Sequence, residues 1–239
     1  MLVSVLIPVF SESKSLVRTV ELIRDALDGI AYEILFIVHQ QSSAECRQTC
    51  AALARDSDHI RFQLQQRYPG QGWAYREGFD AARGTHFLMM NADLETDPRD
   101  TRRLVDALVE RGLEMVVASR WMKGGSVDVA SYGPLRVVCS RLFQRVIGAF
   151  LDTPATDLTF AFKIGTRELF RSFEWEGTGH ELALETTLRP LLAGRRVGEI
   201  PTTWIGRSEG VSHHAYWRNL RHLTLAARLI GRHALGRNG

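Results

Sequence analysis

Cysteine is scarce: Cys46, Cys50 and Cys139 are all that the 239-residue chain holds. Three thiols build neither a disulfide framework nor a four-cysteine zinc site. Cys46 and Cys50 lie four apart and share a helix face, where reduced thiols act as small packing residues. No apolar run reaches the ~18 residues that mark a spanning helix. Met1-Leu2-Val3-Ser4-Val5-Leu6-Ile7-Pro8 lacks the basic segment and cleavage site of a signal peptide. These absences lead to the expectation of a cytoplasmic protein. An excess of one charge is missing too. Thirty Lys+Arg against 27 Asp+Glu leave a net charge of +3. That excludes a nucleic-acid-binding polycation, so no nucleic-acid partner is expected. Repeats, low-complexity tracts and linkers are also lacking. What remains is ordinary globular composition, 45% hydrophobic and 24% charged, in a chain long enough for one large α/β domain.

Strands and helices alternate through the first half. Strands are expected at 2–9, 33–38, 60–64, 85–90 and 115–118. Helices are expected at 15–28, 43–56, 73–82 and 99–111, the last two closed by Gly84 and Gly112. Such alternation means βαβ units and a largely parallel, doubly wound sheet. The second half is less regular. Lys123-Gly124-Gly125-Ser126 reads as a loop, 135–150 and 181–192 as helices, and 160–164 as a strand. Residues 197–203 suit an edge strand, since Pro201 cannot donate to a ladder.

Asn91-Ala92-Asp93-Leu94-Glu95 follows the apolar run Phe87-Leu88-Met89-Met90. A buried strand ending in an acidic loop delivers side chains to the carboxyl edge of the sheet, where ligands bind. Oxygen-bearing side chains at alternate positions suit Mg²⁺ or Mn²⁺, and such an ion would clamp a diphosphate. The plainer reading is a capping loop, with Asp97 as cap and Pro98 at the first helical position.

Several segments together resemble family 2 glycosyltransferases of the GT-A fold. Val5-Leu6-Ile7-Pro8-Val9-Phe10-Ser11-Glu12 is similar to the family's opening strand and loop. Gly70-Gln71-Gly72-Trp73-Ala74-Tyr75-Arg76-Glu77-Gly78 resembles its glycine-bearing loop and helix, and Asn91-Ala92-Asp93 its Asp-x-Asp motif. Ala118-Ser119-Arg120-Trp121 and Ser208-Glu209-Gly210-Val211-Ser212-His213 resemble segments of the dolichyl-phosphate mannosyltransferase branch. The resemblance covers about residues 3 to 215 in the expected order.

The resemblance implies an α/β GT-A fold and inverting, metal-assisted transfer of a sugar from a nucleotide-sugar donor. The implied acceptor is a polyprenyl phosphate, or a glycan. A phosphate acceptor is already anionic, so positioning and electrostatics replace a strong base. By this match Asp93, Arg120 and Arg136 are the catalytic candidates, the arginines holding the acceptor phosphate in bidentate fashion. Pro8, Phe10, Glu12, Gln40, Gly70, Asn91 and Ala92 would line the nucleotide pocket. Asn91, Asp93 and Glu95 would hold the metal, and Arg207 and His213 would contact phosphate.

Departures from the pattern fall at ligand-facing positions. His39-Gln40 stands where the family has two aspartates, Asn91 where it has a carboxylate, and His213 where a lysine is usual. Two readings stay open: an active transferase with an altered donor, or a non-catalytic nucleotide- or lipid-binding member. A nucleotidyltransferase would need an N-terminal glycine-rich signature that Val9-Phe10-Ser11-Glu12 lacks. For a hydroxyl acceptor, Glu181 or Glu185 would be the base, against the alternative of a solvated acidic helix. Asp157 matches the start of the family's Asp-Pro-Thr-Ser-Gly-Phe segment, where loop architecture is the expected role.

The division is a domain over 1–213 and a basic amphipathic tail over 214–239. Trp217, Leu220, Leu223, Ala227 and Ile230 recur at near-helical spacing, with Arg218, Arg221, His222, Arg228 and Arg232 interleaved and Tyr216 and Trp217 as interfacial aromatics. Such a helix either lies on an anionic membrane surface, which would put the protein at the inner face of the cell membrane, or packs its stripe on the domain.

Overall fold

The computed structural model describes residues 1–67, 70–151, 153–206 and 218–236. The elements run β1 (Val3–Val9), α1 (Lys14–Ala26), β2 (Tyr32–Val38), α2 (Ala44–Arg55), β3 (Ile60–Leu64), α3 (Gln71–Ala81), β4 (His86–Met89), α4 (Asp100–Glu110) and β5 (Met115–Ser119). The second half adds β6 (Ser126–Val127), α5 (Val129–Tyr132), α6 (Pro134–Leu151), β7 (Lys163–Thr166), α7 (Arg167–Arg171), α8 (Glu181–Leu192), β8 (Val197–Pro201), β9 (Thr203–Trp204) and α9 (Arg218–Ala234).

Seven strands form one sheet in the order β3-β2-β1-β4-β7-β5-β8. Only β7 runs antiparallel to its neighbours β4 and β5. The pleat sorts the core into two layers. Val3, Val5, Ile7 and Val9 of β1 face one side, where they meet Leu16, Val20 and Ile23 of α1 and Leu104 and Leu108 of α4. Leu6 faces the other side with Ala74, Tyr75 and Phe79 of α3. The 4-and-3 spacing of the α1 residues is the stripe an amphipathic helix needs to lie on a sheet. Cys46 and Cys50 are buried in the first layer.

Strand order reverses between β1 and β4, since β2 and β3 lie on one side and β7 and β5 on the other. In open α/β sheets a crevice forms at this switch point, outside the carboxyl ends of the strands. Residues 10–12, 39–40 and 91–95 follow β1, β2 and β4 at that edge, and 120–121 follow β5. Because β7 is reversed, residues 157–162 enter at the same edge.

Two expected elements are displaced. The strand foreseen at 160–164 begins at Lys163, because the ring of Phe160 lies against the Arg120 guanidinium, 4.2 Å from ring centroid to Cζ. The helix after Asp97 begins at Asp100, with Arg99 in the cap position. Asp97 instead closes the turn before it, accepting from Arg99 N at 2.9 Å.

The tail helix α9 packs on the domain, and its inward stripe differs from the expected one. Leu225, Ala226 and Leu229 are buried with Leu184 and Leu188 of α8 and Ile147 of α6, whereas Leu223 and Ala227 face outward. Tyr216 and Trp217 lie outside the described residues. A carboxylate on the loop before α8 ties the packing together. Glu176 accepts from Arg189 at 2.8 Å, Arg228 at 2.9 Å and Arg232 at 2.6 Å.

Candidate functional site

The loop after β1 is held by its own carboxylate. Glu12 accepts from Phe10 N at 2.8 Å and Ser11 N at 2.9 Å. Phe10 meets the His39 ring edge-on at 4.9 Å. Burial lowers the His39 pKa and so favours the neutral imidazole. Its Nδ1 accepts from Gln41 N at 3.1 Å. Gln40 donates through Nε2 to Gln65 O at 2.9 Å. Gln65 in turn donates to Gly70 O at 3.0 Å, so Gln40 and Gly70 are joined through one residue. Gly70 has φ 134°, and a Cβ there would sit 2.0 Å from Thr178 O. Backbone conformation and space both require glycine at that point.

Asn91 is the hub of the acidic loop. Its Oδ1 accepts from Gln71 Nε2 at 2.6 Å, with the Tyr75 hydroxyl 3.3 Å away. Gln71 and Tyr75 are four apart on α3, so one helix face presents both donors. Burial raises the Tyr75 pKa, and the charge of Asp93 adds to the rise. Ala92 is buried in the core, and Asp93 is buried with its Oδ1 accepting from Glu95 N at 3.2 Å. Between Asp93 and Glu95, Leu94 adopts φ 56°, a left-handed conformation that is costly for a residue with a Cβ. Glu95 accepts from Trp204 Nε1 at 3.0 Å and is thereby tied to β9. Asn91, Asp93, Glu95, Thr96 and residues 160–162 line a narrow cleft of about 10 Å³, barely enough for one water.

Among the described residues no group of three or more histidine, cysteine or acidic side chains gathers as a metal site. The oxygen-only set of Asn91, Asp93 and Glu95 still suits a hard cation. Mg²⁺ is commonly held by one or two carboxylates together with substrate phosphates. The Asn91 and Glu95 oxygens, however, already receive donors from Gln71 and Trp204.

Arg120 is not the open phosphate fork that the family resemblance implied. It is buried and paired with Asp157, Nε to Oδ2 at 2.7 Å and Nη2 to Oδ1 at 2.9 Å. Further contacts go to the Tyr132 hydroxyl at 3.2 Å and Thr159 Oγ1 at 3.3 Å. Burial alone would lower its pKa, but the charge and hydrogen bonds of Asp157 outweigh this and raise it. The bidentate geometry expected for an acceptor phosphate is spent on Asp157. Arg136 is exposed, its guanidinium 4.4 Å over the Tyr132 ring.

The two candidate bases are likewise committed. Glu185 is fully buried and accepts from Glu176 N at 3.0 Å, Gly177 N at 2.7 Å and Arg189 Nε at 2.7 Å. Glu181 accepts from Thr178 N and Gly179 N. Burial pushes its pKa up, but the backbone amides and Arg221 win and hold it low. Neither residue borders the cleft, and neither is the solvated acid of the alternative. Arg207 and His213 lie outside the described residues.

Sequence reasoning missed Gln71, Tyr75, Trp204 and Lys163. Gln71 and Tyr75 lay inside the glycine-bearing segment, and their four-residue spacing was a usable signal. Nothing local linked Trp204 to Glu95, 109 residues earlier. Lys163 is fully buried on β7. Its ammonium donates to Ala183 O at 2.7 Å, Thr186 Oγ1 at 3.1 Å and Thr187 Oγ1, and burial lowers its pKa to about 7.

The sheet order, the reversed β7 and the loops at the switch point define a GT-A fold. A glucosyl-3-phosphoglycerate synthase from Mycobacterium tuberculosis, solved with Mn²⁺, uridine diphosphate and phosphoglyceric acid, superposes with a TM-score of 0.68. That match covers 99% of this chain and 78% of the other at 16% identity. The chain belongs to glycosyl transferase family 2, which it matches over residues 4–173. Glycosyltransferase AglD of Haloferax volcanii is 28% identical over 208 residues, 84% of this chain and 33% of that protein. Dodecaprenyl-phosphate galacturonate synthase of Rhizobium johnstonii is 25% identical over 220 residues, 91% and 63% respectively. Dolichol-phosphate mannosyltransferase of Pyrococcus furiosus is 25% identical over 212 residues, 89% and 59%. The chain thus spans a third to just under two-thirds of these curated relatives.

Proposed function

We propose that the protein transfers a sugar from a nucleotide-sugar donor to a polyprenyl phosphate, with inversion at the sugar carbon. The observation that carries this reading is the Asn91–Glu95 loop at the switch point, with buried Asp93 and the strained Leu94. Family membership and two relatives named for polyprenyl phosphates support it. The acceptor phosphate is the nucleophile and needs no protein base, which accords with Glu181 and Glu185 being occupied elsewhere. Pro8, Phe10, Glu12, His39, Gln40 and Gly70 would shape the nucleoside end. Asp93 would be the principal ligand of Mg²⁺ or Mn²⁺, with Asn91 and Glu95 secondary. A bound cation would offset the charge of the diphosphate leaving group.

A membrane surface is the proposed partner, met by α6 rather than α9. Leu135, Val138, Leu142, Val146 and Phe150 form an exposed apolar stripe on α6, beside Arg136, Arg141 and Arg145. Among the described residues no helix is long and apolar enough to cross a membrane. The closed cleft and the His39, Gln40 and Asn91 departures favour the second reading, a donor-binding member without turnover.

The test is direct. The full chain is incubated with uridine- and guanosine-diphosphate sugars, Mn²⁺ and a polyprenyl phosphate, and lipid products are read by mass spectrometry. A glycosyl phospholipid supports transfer. Nucleotide binding by calorimetry without product from any donor would select the non-catalytic reading.

A further inference from the structure

A cavity of about 730 Å³ lies between α6, Trp121 and residues 153–156. That size falls within the range of small-molecule sites. Arg141 and Arg145 line it, one helical turn apart on the same face. Among the described residues neither guanidinium has an ion-pair partner, and no described carboxylate lines the cavity. Arg141 lies 5.3 Å over the Trp121 ring. The Trp121 ring forms part of the cavity wall. Gln144, at the same wall, is already spent on Leu158 N and Thr159 Oγ1. Two guanidinium groups without an ion-pair partner among the described residues make the cavity a site for an anion. Paired arginine forks suit phosphate oxygens.

The neighbouring helix face is apolar. Leu142 and Phe150 are 60% and 73% exposed, and Val146 lies between them. Each stands one residue beyond Arg141, Arg145 or Ala149, so the stripe runs beside the arginine row. A ligand matching both faces carries a phosphate at one end and a hydrocarbon chain at the other. Buried Arg120 lies between the cavity and the cleft lined by Asn91, Asp93 and Glu95. Trp121 borders the cavity and Phe160 borders the cleft, and the Arg120 guanidinium lies 5.4 Å and 4.2 Å from their ring centroids.

We infer that this cavity binds the phosphate of an isoprenyl phosphate through Arg141 and Arg145, with the hydrocarbon chain lying along the α6 stripe. The inference rests on the polyprenyl-phosphate reading above and assigns it an acceptor site away from Arg120.

Calorimetry of the full chain with citronellyl phosphate, citronellol and inorganic phosphate tests it. Citronellyl phosphate should bind roughly tenfold or more tightly than either of the others. Arg141→Ala with Arg145→Ala should weaken it by roughly tenfold or more, since charge-assisted hydrogen bonds are lost. Uridine diphosphate affinity and the urea midpoint should stay at wild-type values, since both arginines are exposed. Leu142→Ser with Val146→Ser should remove the advantage of the ester over inorganic phosphate. Equal binding of citronellyl phosphate and citronellol, no binding of the ester, or wild-type affinity in the double arginine variant would overturn the assignment. Inorganic phosphate binding as tightly as the ester would overturn the lipid part. Arginine-dependent ester binding without sugar transfer would remove the catalytic reading and leave this site standing. Wild-type transfer and KM in the double variant would do the reverse.

Discussion

Asp157→Asn should be among the most damaging single-atom changes in the molecule. Asp157 is fully buried and the Arg120 side chain is 7% exposed. One carboxylate receives the Arg120 backbone N–H at 3.2 Å as well as the guanidinium at 2.7 and 2.9 Å. The amide variant keeps the shape and removes the charge, so the guanidinium stays buried without a counter-ion. Breaking a buried pair in this way costs about 3–5 kcal/mol. At about 2–4 °C per kcal/mol for a domain of this size, the melting temperature should fall by roughly 6–20 °C. Asp97→Asn is the internal control. Its pair with Arg99 is 41% and 68% exposed, and pairs of that kind contribute about 0–1 kcal/mol. Arg120→Met combined with Asp157→Asn should recover part of the loss, because no unpaired charge remains. Calorimetric or fluorescence melting reads all four proteins. A melting temperature for Asp157→Asn equal to that of Asp97→Asn would refute the reasoning and return Arg120 to the pool of available phosphate ligands.

Asp93→Ala should abolish the gain in uridine diphosphate affinity that Mn²⁺ confers, by roughly tenfold or more, while Asn91→Asp should increase it; titration indifferent to Mn²⁺ in all three proteins would remove the metal assignment. Gly70→Ala should cost of order 1–3 kcal/mol in urea unfolding, from the φ of 134° and the 2.0 Å approach to Thr178 O, and a neutral result would show that the loop over Thr178 yields freely. Lys163 has a folded pKa of about 7 against 10.5 for the ordinary group. The unfolded chain therefore binds more protons between those values, and stability should rise with pH across that window. Lys163→Met should accordingly stabilise more at pH 7 than at pH 10, and a gain independent of pH would mean the ammonium is not desolvated.

The first five strands and four helices were legible because each carries its own period. The buried runs of β2 and β4 and the stripe of α1 are local signals, and the structure displaces their ends by only a residue or two. Sheet order was not local. The reversal of β7 depends on pairing with both β4 and β5, and its start depends on Phe160 packing against Arg120. The two-residue strands β6 and β9 and the short helices α5 and α7, of four and five residues, are too short for a strand or helix period to announce them. At the site, motif positions were readable but their partners were not. Arg120 looked available because Asp157 lies 37 residues away, and Asn91 looked open because its donors sit on another element. The stripe of α9 was misjudged by phase: Leu223 and Leu225 have equal hydropathy, and only the position of α8 decides which one is buried.

Glu176 bears on where this chain tolerates being cut. The boundary drawn at 213/214 would remove Arg228 and Arg232 and leave Glu176 with Arg189 alone among its described arginine partners. It would also uncover Leu184, Leu188 and Ile147, a sticky patch of the sort that drives association. The loosened loop is the one whose Thr178 carbonyl accepts the Trp73 N–H at the start of α3, at 3.2 Å. A truncated protein would therefore show damage at the proposed nucleotide end although nothing there was altered, and the result would be mistaken for loss of the proposed activity.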